Sequence, residues 1–61
     1  MSVPTQESAE ARIKKLRDRA EEIRTAAANI RQERIRTSML NIASSYGRVA
    51  DSLARFLARK D

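Results

Sequence analysis

The apolar positions in the first half of the chain recur at alternating steps of four and three: Ala9, Ile13, Leu16, Ala20, Ile23, Ala27 and Ile30. That alternation is an a/d heptad seam, the mark of a helix packed along one face. A second seam of the same kind runs through Ile35, Met39, Ile42, Tyr46, Val49, Leu53 and Phe56. The two do not join. Continuing the first past Ile30 requires apolar residues at 34 and 37, which hold Arg34 and Thr37. The jump from Ile30 to Ile35 is five residues, whereas a continuous coiled coil absorbs insertions of three or four. The pattern therefore predicts helix 1 over about 5–30, a turn over about 31–35 and helix 2 over about 36–59, with residues 1–4 frayed and 5–61 forming one domain.

Folding back at the break gives an all-α, antiparallel, coiled-coil-like two-helix hairpin. Antiparallel a-to-d pairing keeps the sum of partner numbers constant, and two sums fit. A sum of 69 pairs Leu16 with Leu53, Ile23 with Tyr46 and Ala27 with Ile42; a sum of 62 pairs Leu16 with Tyr46, Ala20 with Ile42 and Ile23 with Met39. Helix 2 has more apolar surface than one partner covers, because Leu40, Ala43, Gly47, Ala50, Ala54 and Leu57 run beside its main seam. Small side chains there admit a second backbone closely, and Gly47 is expected at such a contact, since glycine costs ~1 kcal/mol relative to alanine inside a helix.

Local propensity agrees with this pattern. Ten alanines and ten arginines favour helix, and after Pro4 only Gly47 interrupts it. Thr5 is placed to cap helix 1, with Glu7 and Glu10 in its first turns, and Arg59 and Lys60 stand near the end of helix 2. Both arrangements suit the helix dipole.

Size turns the apolar surplus into an expectation of self-assembly. A chain of 61 residues buries only about 60% of the surface its unfolded form exposes. Small scaffolds are helped by disulfides, a metal or oligomerisation. The chain has no cysteine and no histidine, so neither disulfide nor metal is expected, and no cofactor. A homodimer forming a four-helix bundle with helix 2 central is the expected assembly. Its interface would draw on Ile13, Leu16, Ala20, Ile23, Ala27 and Ile30 of helix 1. Helix 2 would supply Met39, Leu40, Ile42, Ala43, Tyr46, Gly47, Val49, Ala50, Leu53, Phe56 and Leu57.

The residues after position 15 also resemble a known pattern. LRDRAEEI followed by RTSMLNIASSYGRVADSLA is similar to a group of short helical proteins common in alphaproteobacteria, particularly rhizobia. There an L-R-x-x-A-E-E segment precedes a turn and then L-x-x-I/L-A-x-x-Y-x-x-L-A. Leu16, Arg17, Ala20, Glu21 and Glu22 match the first part, and Ile42, Ala43, Tyr46, Val49 and Ala50 the second, with Leu40 standing one place nearer Ile42 than the leading leucine of the pattern. Where that group has Asp-Pro in the turn, this chain has Gln32-Glu33. The resemblance implies a hairpin and no established activity.

Catalysis is not expected. Without histidine or cysteine, acid-base and nucleophilic schemes would need a pocket that a two-helix hairpin hardly offers. Tyr46 lies on the seam and reads as packing, while Ser44 and Ser45 read as helix surface. Nor does an apolar run reach the length of a membrane span or a signal-peptide core. A cytoplasmic protein is the expectation.

Charge adds one alternative. The net charge is +5, and it is uneven: residues 1–30 hold six Lys and Arg against five Asp and Glu, residues 31–61 seven against three. Helix 1 offers self-neutralising pairs in Glu10–Lys14, Lys14–Asp18 and Arg17–Glu21. The excess gathers at the turn, where Arg31, Arg34 and Arg36 are candidate phosphate contacts. Both aromatics, Tyr46 and Phe56, lie on the seam, leaving none to stack on bases. The leading expectation is therefore a non-enzymatic protein-interaction or scaffolding module. The alternative is a small basic protein that binds an RNA or DNA backbone.

Overall fold

The computed structural model describes residues 6–59. It contains two helices in contact, α1 (Gln6–Ala27) and α2 (Glu33–Arg59), packed as an antiparallel hairpin. Thr5, residues 1–4 and Lys60 fall outside the described residues, so the expected cap, the fraying and the last cation do too.

The molecule measures 44 × 23 × 15 Å. The long dimension is set by α2, whose 27 residues span about 40 Å at ~1.5 Å each. The hairpin is thus one layer of helices, whereas stable domains pack two layers over a core.

The break comes earlier than the seams suggest. α1 ends at Ala27 rather than Ile30, and α2 begins at Glu33 rather than Arg36. The Ala28 amide still donates to Arg24 at 3.1 Å, but those of Asn29 and Ile30 reach back only three residues, to Ala26 and Ala27, at 3.1 and 3.0 Å. This tightening closes α1 without a left-handed cap, for no residue among those described has positive φ. Asn29 is a poor helix former, and Ile30 puts its side chain into the half-buried seam from the turn itself. Seam membership therefore overstates helix length by three residues. Opposite, the Arg36 amide donates to the Gln32 carbonyl at 3.0 Å, the first bond of α2. Glu33 in its first turn and Arg59 in its last complement the dipole.

The core is thin. Among the described residues only Ile13, Ala20, Ala27, Ala43 and Ala50 are buried. Those of α1 are spaced by seven, as are those of α2, so the hairpin closes along two alanine-rich ridges. Leu16 and Tyr46 border one depression, the neighbours that a number sum of 62 pairs. Both sums set Ile42 against an alanine of α1, Ala20 for 62 and Ala27 for 69, yet half of Ile42 is open to solvent. Arg17 reaches Asp51 and Arg24 reaches Gly47 because helical side chains lean toward their own N-terminus, here toward higher numbers on α2.

Candidate interaction face

The bulky seam of α2 does not point where its composition suggests. Ala43 and Ala50 are 0% exposed, while Ile35, Ile42, Val49 and Phe56 are 46%, 50%, 54% and 60% exposed. Ala43 and Ala50, from the stripe expected to serve an outside partner, face α1, and four of the seven seam residues expected to face α1 are open. Consecutive helical residues differ by about 100°. Ile42 and Val49, each preceding a buried alanine, consequently look roughly a right angle away from α1.

Between these two directions sit Met39, Tyr46 and Leu53, all half-buried, and across from them Leu16, Ile23 and Ile30 of α1, also half-buried. Tyr46 and Leu16 border the same depression, which places these rows on one side of the hairpin. The result is a continuous apolar face, two helices wide, whose most open edge is the Ile35-Ile42-Val49-Phe56 stripe. In a four-helix bundle each helix meets two neighbours at roughly right angles, with a third row pointing into the centre. α2 presents all three rows.

The borders of the face are polar. Beside the stripe lie exposed Ser38, Ser45 and Ser52, then exposed Arg34, Arg48 and Arg55. Ser45 donates to the Asn41 carbonyl at 3.2 Å and accepts from Arg48 Nη2 at 3.3 Å. Beyond Leu16, the α1 border carries Arg12, Lys15 and Arg19. Leu40, expected in the interface, is 41% exposed but two residues from Ile42, so it lies on the far flank of α2.

Polar contacts fasten that far flank. Arg17 donates to Asp51 at 3.2 Å, a bridge between the helices. It replaces the expected Arg17–Glu21 pair, and Glu21 accepts from Arg24 at 3.2 Å instead. Both ends of the bridge are more than half exposed, so it contributes under ~1 kcal/mol. The expected Lys14–Asp18 pair forms at 2.8 Å. Its hydrogen bond, and then its charge, raise the Lys14 ammonium above its ordinary pKa. Gly47 also lies on this flank. A Cβ there would meet only the Arg24 Nη2 atom, at 4.0 Å, so no close backbone approach within the hairpin requires the glycine.

At the turn the three candidate arginines part company. Arg31 and Arg34 are exposed; Arg36 is half-buried and donates from Nη1 to the Ile30 carbonyl at 2.9 Å. That bond satisfies a carbonyl that neither helix uses. Sequence reasoning saw Arg36 only as charge, because a bond across the turn has no periodic signature. It also left Ile35 out of the interface, although Ile35 stands seven residues before Ile42.

Groups of acidic residues that could hold a metal are absent among the described residues. No described helix is long and apolar enough to cross a membrane. Comparison with known proteins returns no match: no family model, no curated protein and no solved structure is similar enough to the chain.

Proposed function

We propose that the protein is a non-enzymatic helical interaction module that works as a self-assembled dimer, its apolar face covered by a second hairpin. The observation that carries this reading is the pairing of an alanine core with a bulky, heptad-spaced exposed stripe. Fully burying one such side chain contributes about 1.5–3 kcal/mol, so the four half-open ones of the stripe hold back roughly 3–6 kcal/mol per chain. Few small domains forgo that amount, since native stability itself is only about 5–15 kcal/mol. Covering the face supplies the missing second layer.

Light scattering and sedimentation on the purified 6.9 kDa chain test this reading. A particle of two chains, dissociating together with loss of helix on dilution, is the expected result. A folded, stable monomer at micromolar concentration overturns it. Exposed Arg31 and Arg34 support a second reading, contact with nucleic-acid phosphates. An anisotropy titration at two salt concentrations separates the two: a steep salt slope supports phosphate contact, and no binding at low salt removes it.

A further inference from the structure

The open stripe has a symmetry that specifies its occupant. Ile35, Ile42, Val49 and Phe56 stand at equal seven-residue intervals, symmetric about the point between residues 45 and 46. We propose that a second copy of the chain lays its α2 antiparallel on this α2, with the two-fold axis at that point. Ile42 then packs against the partner's Val49, and Ile35 against the partner's Phe56. The inference rests on the dimer reading and fixes its orientation.

Area supports a second copy as the occupant, and Arg48 and the α2 dipoles favour this orientation. The apolar face is about 32 Å long and about 20 Å across two helices, a footprint of roughly 640 Å², near the ~800 Å² each partner gives to a stable interface. Only a centre between 45 and 46 leaves no stripe residue unmatched in the antiparallel sense; a shift of one heptad strands Ile35 or Phe56. A parallel dimer would match all four residues but align Arg34, Arg48 and Arg55 with their own copies. Antiparallel pairing brings Arg34 near the partner's Arg55 but sets Arg48 beside the partner's Asn41, so Arg48 is the arginine that separates the two forms. Antiparallel pairing opposes the α2 dipoles as well. The Arg48 pair and the aligned dipoles disfavour the parallel form.

The chain has no cysteine, so single introduced cysteines report on this geometry without interference. Across the proposed axis residue 42 is seven residues out of level with its own copy, about 10 Å, beyond the reach of a disulfide. Ile42→Cys alone and Val49→Cys alone should therefore stay uncrosslinked under mild oxidation. Mixed while reduced and then oxidised, they should give the covalent heterodimer in at least ~10-fold excess over either homodimer. Ile35→Cys mixed with Phe56→Cys should behave alike, which guards against one pair failing to fold. Self-crosslinking of Ile42→Cys or Val49→Cys, in a chain whose wild-type mass is that of a dimer, overturns the orientation and leaves the dimer standing. A dimer in which neither mixture crosslinks overturns the orientation too. A wild-type mass of one chain overturns both, and the stripe then belongs to a different partner.

Discussion

Ile42 and Ala43 are neighbours in sequence and opposites in environment: half of Ile42 is exposed, none of Ala43. The same holds for Val49 and Ala50. If single-chain packing alone governed the fold, the larger residues would be inside, because burial stabilises in proportion to apolar area. The alanine ridge is where two backbones can come closest, and the bulky stripe is where the hairpin remains incomplete. Burial within the hairpin is therefore confined to a narrow alanine-rich seam, and the bulkier residues form a broader exposed one.

Charge on the two stripes should break that comparison most sharply. Val49→Asp would set a carboxylate in the proposed interface, and burying it unpaired costs several kcal/mol. The dimer should weaken by ~100-fold or more, read by sedimentation, with helix content falling alongside because the lone hairpin has so thin a core. Retention of full helicity as a monomer would show the alanine ridge to be sufficient by itself.

Overfilling the inner ridge should act differently. Ala43→Leu adds bulk where no space is left, and overpacking of this kind costs about 1–3 kcal/mol in the urea midpoint. Ile42→Leu, one residue earlier, should cost less than ~1.5 kcal/mol. Equal effects at the two positions would erase the distinction between the stripes.

The turn should matter somewhat less. Arg36→Ala removes the bond to the Ile30 carbonyl and should cost about 1–2 kcal/mol, whereas Arg34→Ala, at an exposed neighbour, should fall within about 0.5 kcal/mol. Equal losses would mean that charge, rather than the hydrogen bond, holds the turn. Smallest of all, Gly47→Ala should stabilise the protein by up to ~1 kcal/mol through helix propensity. The open space around Gly47 permits the methyl group, and a loss of stability would place a second backbone against this flank.

Much of this was legible in the residues. The seams, the break between them and the expectation of a hairpin follow from heptad spacing, because a helix displays every seventh residue on nearly the same side. The Lys14–Asp18 pair is a local i,i+4 contact and was equally readable. The limits of α1 were not, since an apolar residue such as Ile30 serves the seam equally well from a turn. Nor was the bond from Arg36 to Ile30, which joins residues on either side of a reversal.

What the sequence alone determined is the set of apolar rows on each helix and the fact that they exceed what one partner covers. Which row faces which neighbour was decided only by tertiary packing. The rows of Ile42 and Ala43 differ by a single residue, about 100° of rotation, and a rotation of the whole helix about its own axis leaves every sequence period unchanged. The choice lies in how closely two backbones can approach, and alanine, having the smaller side chain, took the inner place.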